Sequence, residues 1–343
     1  MLDAVSVANV LGATPVQTEL TGEVCPCRLA ATGPNETQAL LTVLALDTRS
    51  ATLSAQGLVN LESGLLDLSA TIDAHRHPAL DALMAGAVFD AAQVRAAVTG
   101  TMDSPDLDVT ARITAPAFDG MGAGGLTLGV KGGLRGTDFL GDVVLNVDNP
   151  SLGDPALDAL LGARPGLTAT VRAGAEQVQV TDLDLTAVTF GLTGGLTSPL
   201  PDPRLDGEIV LLVPDVSLLP GADAALTKGG LHLVLTMDAV QPDGGGEVRL
   251  AGDVSQLAFM DPALAGLVGP SIRVAATARP GADANRIDVA IDTAAGPSAK
   301  ADIRLDAAGA LDGRYSLDLP ALPGGVLPET LSLDGPIRLR GTL

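Results

Sequence analysis

The chain reads as an all-β protein, an elongated sheet punctuated by a few short helices. Strand-like alternation recurs along nearly its whole length, and little in the sequence could cover the apolar face this creates. In Leu107-Asp-Val109-Thr-Ala111-Arg-Ile113-Thr114 the odd positions are apolar and the even ones polar. An extended chain sends successive side chains to opposite faces, so all these aliphatics share one face. A further observation narrows the packing: 46% of residues are hydrophobic but only 2% aromatic, with no Trp, one Tyr (Tyr315) and five Phe. Aromatic rings carry much of the packing in compact cores and shaped pockets. Their scarcity favours a smooth surface of Ala, Val, Leu and Ile.

The same alternation predicts strands at Leu53 to Leu61, Leu66 to Ile72, Leu107 to Thr114, Leu126 to Val130 and Leu167 to Ala173. It predicts more at Ile272 to Ala278, Ile287 to Thr293, Ala299 to Ala307 and Leu311 to Leu319. A second pattern interrupts them. Pro78-Ala-Leu80-Asp-Ala-Leu83 reappears as Pro155-Ala-Leu157-Asp-Ala-Leu160 and as Pro262-Ala-Leu264-Ala-Gly-Leu267, each closing on Gly: Gly86, Gly162, Gly269. Proline is tolerated in a first helical turn, Leu at i and i+3 share a helix side, and glycine stops the run. Asp154 and Asp261 precede two of the prolines as N-caps. Short helices are therefore expected near 78–86, 155–162 and 262–269.

Turns are expected at Ser104-Pro105-Asp106, Ser198 to Pro203, Gln241 to Gly246 and Arg279 to Asn285. A 343-residue chain would ordinarily divide into about two domains. None of these turns is long enough for a disordered linker, so residues 1–343 are expected to form one continuous repeat-built body.

Composition also excludes functions. Acidic residues number 41 against 20 basic, a formal charge of −21, which does not suit a nucleic-acid partner that demands clustered Lys and Arg. Asp288, Asp302, Asp306 and Asp312 sit on the polar side of the alternation and keep that face solvated. No run of about twenty apolar residues could span a membrane as a helix. Cys25-Pro26-Cys27 has a spacing short for an unstrained bridge and offers too few ligands for a metal site.

Catalytic patterns do not hold together. Asp73, His75 and His77 share one strand side, but only His232 remains to complete a metal site. Gly120-Met-Gly122-Ala-Gly-Gly125 matches a dinucleotide fingerprint in letters, yet a strand from Leu126 follows where a helix is needed. No Gly-Lys of a phosphate loop and no Gly-x-Ser-x-Gly elbow occurs. The expectation is no enzyme, no cofactor and no metal.

A third pattern has the form of a strand end, a Pro-fixed turn and a new strand. It appears in Gly100-Thr-Met-Asp-Ser-Pro105-Asp-Leu107 and in Gly194-Gly-Leu-Thr-Ser-Pro199-Leu-Pro-Asp-Pro203-Arg-Leu205. With Leu205-Asp-Gly-Glu-Ile209 and Leu333-Asp-Gly-Pro-Ile337, and the acidic, ring-poor composition, it resembles the TamB branch of the AsmA-like proteins. The resemblance implies a strongly curved, twisted sheet forming an open hydrophobic groove. It implies an internal fragment of a translocation and assembly module protein in the Gram-negative periplasm, tied to the inner membrane by a segment outside this chain.

It further implies a bridge that carries phospholipid between the two membranes, with an outer-membrane barrel partner reached through segments not present. The lipid-groove candidates are the aliphatics Leu107, Val109, Ile113, Val171, Leu211, Val213, Leu233, Leu235, Val289, Ile291, Ile303 and Leu305. Two rivals share much of this pattern: a scaffold for outer-membrane protein assembly that captures client strands at sheet edges, and a structural or adhesive β-helix or β-sandwich repeat protein.

Overall fold

A computed structural model describes residues 38–47, 50–60, 62–78, 87–222, 224–241, 244–281, 284–306, 310–320 and 336–342. The chain divides into two compact units, residues 1–148 and 149–343. Among the described residues the expected fold class is the one observed: mostly strand (68%, with 7% helical) and antiparallel.

In the first unit the strands are β1 (Gln38–Asp47), β2 (Ala51–Asn60), β3 (Leu65–His75), β4 (Ala91–Thr101), β5 (Ser104–Thr114), β6 (Ala117–Phe118), β7 (Met121–Gly122), β8 (Gly125–Arg135) and β9 (Asp138–Asp148). β1 to β5, β8 and β9 pair antiparallel in sequence order, while β6 and β7 form a small separate hairpin. The glycine-rich stretch around Gly120 is thus the tip of that hairpin and the lead into β8, the strand expected from Leu126. From β2 to β9 the register runs without a shift.

The second unit holds β10 (Gly166–Ala173), β11 (Gln177–Thr186), β12 (Gly191–Pro199), β13 (Leu205–Val213), β14 (Leu226–Val240), β15 (Glu247–Phe259), β16 (Ile272–Arg279), β17 (Ala284–Thr293), β18 (Ser298–Asp306), β19 (Leu311–Leu319) and β20 (Ile337–Thr342). Each pairs antiparallel with the next. Every described pairing within the two units is antiparallel, so neither sheet has the parallel ladder of a β-helix.

Two of the expected helices are present, α1 (Pro155–Leu161) and α2 (Pro262–Val268). The Asp154 carboxylate accepts a hydrogen bond from the Ala156 amide at 2.8 Å, and Asp261 does the same for Ala263 at 2.8 Å. These bonds satisfy an amide that the first helical turn leaves without a partner. The chain leaves each helix through a left-handed glycine, Gly162 at φ 74° and Gly269 at φ 76°. The helix expected over 78–86 lies outside the described residues apart from Pro78, as do Cys25 and Cys27.

One turn falls elsewhere than expected. The β4–β5 hairpin reverses at Met102-Asp103, with Thr101 paired to Ser104, so Pro105 lies inside β5 opposite Gly100. A two-residue connection is the tightest hairpin, and Ser-Pro is therefore strand start and not turn.

Candidate functional site

Register decides which side chains share a face. Across the first unit it aligns Leu53–Ile72–Val94–Ala111–Leu128–Leu145 in one row from β2 to β9. The row two residues along reads Ala55–Ala70–Ala96–Val109–Val130–Val143, and the row on the other side Ala51–Ala74–Ala92–Ile113–Leu126–Val147. Alternate residues point the same way, so these rows make one uninterrupted aliphatic face. The intervening rows are mostly polar, as in Thr52–Asp73–Gln93–Arg112–Thr127–Asn146. There the Gln93 amide donates to Asp73 at 2.6 Å, an ordinary cross-strand bond on the polar side.

The second unit repeats the arrangement over more strands. Leu167–Leu185–Leu192–Leu211–Leu233–Gly252–Val274–Ile291–Ala299–Leu317–Leu339 is a single register row from β10 to β20, with no polar member. Beside it runs Leu183–Gly194–Ile209–Leu235–Leu250–Ala276–Val289–Ala301–Tyr315–Gly341. Gly194 marks a close approach of β12 and β13: its φ is 153°, and a Cβ there would run into the Glu208 carbonyl.

No described residue covers these faces. Among the described residues the buried apolar side chains are Ala169, Val213 and Val216, and none is less than 2% accessible. The only other described sheet is the two-residue β6–β7 pair, and neither α1 nor α2 buries a residue. Ile72 stays 41% exposed, Ile291 37% and Leu339 50%, all on apolar-face rows. Folded monomers seldom leave a contiguous apolar patch of more than a few hundred Å² in water.

The register brings the sequence candidates together within each unit. Leu107, Val109 and Ile113 lie on the apolar face of the first. Val171, Leu211, Leu233, Leu235, Val289, Ile291, Ile303 and Leu305 lie on that of the second. All of these are half-buried except the exposed Ile291. Val213 shares the side but is 3% exposed, next to the 3-10 turn Val216–Leu218, so protein already occupies its surroundings. The candidates Val94, Ala96 and Val98 of β4 escape the sequence reading because an alanine-rich strand (AAQVRAAVTGT) shows weak alternation.

The opposite face of the second unit carries charge. Glu247 accepts bonds from Arg249 and from Arg279, the latter at 2.8 Å, and these guanidinium groups hold its carboxyl below the ordinary value despite an opposing effect of desolvation. Arg279 also pairs with Asp288 at 3.1 Å, and Arg286 with Asp302 at 2.8 Å. Two register rows on this side, Ala275–Ala290–Lys300–Ser316–Arg340 and Thr277–Asp288–Asp302–Arg314–Thr342, flank an open depression of about 940 Å³. No group of three or more His, Cys, Asp and Glu side chains among the described residues could hold a metal ion. No described helix is long and apolar enough to cross a membrane.

Each unit thus presents an aliphatic sheet face that no described residue covers, and comparison with known proteins offers no guide to its use: no family model matches, and neither a curated protein nor a solved structure is similar.

Proposed function

We propose that the apolar faces are tracks for acyl chains, and that this chain is a segment of a periplasmic bridge, of the TamB and AsmA-like kind, carrying phospholipid between inner and outer membranes. The observation that carries the reading is the unbroken register row from Leu167 to Leu339, aliphatic or glycine at every strand and uncovered by any described residue. An acyl chain of about fourteen methylenes loses roughly 11 kcal/mol when exposed to water, at about 0.8 kcal/mol per methylene. A continuous aliphatic surface removes most of that barrier with no chemistry. Evenly spread Ala, Val, Leu and Ile offer no polar anchor that would hold one ligand in place, which suits sliding better than retention.

The test is photocrosslinking from a benzophenone residue at Val109 or Val289 on the apolar faces, with Thr110 as the opposite-face control. Phospholipid adducts, detected by mass spectrometry, are expected from the first two positions and not from the third. Equal labelling at all three, or none from a folded protein purified with its lipid, would sink the idea.

A further inference from the structure

The polar face of β16–β20 offers a second site, independent of the lipid reading because Lys300, Arg314 and Arg340 belong to register rows of the face opposite the aliphatic one. An open depression there is lined by the polar-face rows that contain Lys300 and Arg314 and by the row between them, Ala276–Val289–Ala301–Tyr315–Gly341. It includes none of Val274, Ile291, Leu317, Ile287 or Ile303, the large aliphatics that would wall an apolar-face cavity at this position. At about 940 Å³ it falls in the roughly 300–1,000 Å³ range of small-molecule sites.

Three cations line it: Lys300, Arg314 and Arg340. Lys300 and Arg340 are the register neighbours of Ser316 on either side, and Arg314 is two residues along the same strand. Strand spacing puts each within about 5–7 Å of Ser316 at the backbone, so long side chains can converge on one group. The acidic residues here are engaged elsewhere: Asp288 with Arg279, Asp302 with Arg286. No ion pair is formed by Lys300, Arg314 or Arg340 among the described residues. Eight of the chain's 20 Lys and Arg residues fall between Arg273 and Arg340, in a protein of net charge −21. Asp288 and Asp302 also line the depression, Asp302 opposite Arg314 in the ladder, but each already pairs with another arginine, so three cations leave an excess of positive charge that an oxyanion relieves. Guanidinium groups meet phosphate oxygens with two parallel N–H donors, and a lysine adds a point charge.

We propose that Lys300, Arg314 and Arg340 form an anion site that takes a phosphate group, carried either by a soluble phosphorylated ligand or by a lipid headgroup. Calorimetric titration with pyrophosphate and co-sedimentation with phosphatidylglycerol vesicles separate the two sources. Each lost charge-assisted contact weakens binding about tenfold or more. The Lys300→Gln, Arg314→Gln, Arg340→Gln variant therefore loses about a thousandfold, while Arg314→Lys with Arg340→Lys, which keeps the charge but gives up the paired donors, loses less. Circular dichroism checks that both variants fold. Binding of pyrophosphate assigns a soluble ligand, and binding of anionic vesicles alone assigns a headgroup. Binding of neither probe, or binding unchanged in the glutamine variant, overturns the proposal.

Discussion

The sheet of the first unit and the β10–β15 part of the second reach the same result by different means. From β2 to β9 the register never shifts and the alternation never changes phase. From β10 to β15 the register shifts at four of the five pairings. At those shifts the sequence also changes phase: Val178 and Val180 give way to Leu183 and Leu185, Met237 to Val240, and Val254 to Leu257 and Phe259. A bulge places two residues opposite one and so returns the following side chains to the original face. The residues that absorb the change are Asp182 (φ 50°), Ala239 (φ 50°) and Gln256 (φ 55°). What is kept constant across both units is the apolar face, and strand regularity yields to it.

The largest expected effect comes from deleting Asp182. Without the extra residue, either Val178 and Val180 or Leu183 and Leu185 must turn to the polar face of β11. Burial of one such side chain is worth about 1.5–3 kcal/mol when complete, so half-buried pairs put the cost at about 2–3 kcal/mol. A loss of unfolding free energy of that size is expected in chemical denaturation, with hydrogen exchange quickening in β10–β12 and unchanged in β3–β5. Equal exchange changes in both units, or no loss of stability, would break the comparison.

A substitution in the regular sheet separates its two faces. Val94 stands in the row between Ile72 and Ala111, while Arg95 belongs to the polar row between Thr71 and Thr110. Val94→Asp puts a carboxylate among aliphatics, and without a hydrogen-bond partner that costs about 1–3 kcal/mol. Arg95→Asp, on the solvated side, is expected to stay within about 0.5 kcal/mol of the parent. Chemical denaturation of both variants reads the difference directly, and equal losses would mean that the apolar face is not the stabilising one.

Much of the fold is legible in the sequence alone, for a physical reason. Period-two alternation reports facing, so strands such as β5, β17, β18 and β19 stand out, and α1 and α2 announce themselves by Asp-Pro starts and glycine stops. Strand β11 is hidden because the alternation breaks at Asp182 where the bulge lies, and β4 because alanine is compatible with either face. The aliphatic candidates can be named from alternation, but that Leu167 to Leu339 form one row depends on register. Register is a property of pairs of strands and is not written in either strand alone. The convergence of Lys300, Arg314 and Arg340 escapes for the same reason, since they sit on three different strands and share only their neighbour Ser316.

Acid tests the ion pairs that line the polar face of the second unit. The Glu247 carboxyl is held below its ordinary value of 4.5, first by Arg249 and then by Arg279. A depressed carboxylate contributes stability above the unfolded value and loses it as pH falls through the lower folded value. Melting temperature should therefore decline below about pH 4.5 in the parent. Glu247→Gln, which cannot titrate, should lower stability at neutral pH and flatten that acid limb. An unchanged acid limb in the variant would assign the decline to other groups.

The smallest effect is expected where the second unit compromises most. Gln256 occupies left-handed backbone at φ 55° inside β15, a region that costs an ordinary side chain about 1 kcal/mol and glycine nothing. Glycine also gains freedom in the unfolded chain, which offsets part of the benefit. Gln256→Gly should therefore be neutral to stabilising by up to about 0.5 kcal/mol, although glycine inside a strand ordinarily destabilises. The matched control is Gln93→Gly in β4, where the register is regular and the Asp73 hydrogen bond is also lost. There a loss of about 1 kcal/mol or more is expected. If both substitutions destabilise alike, the bulge at Gln256 carries no strain, and its conformation follows from packing of Leu257 and Phe259 alone.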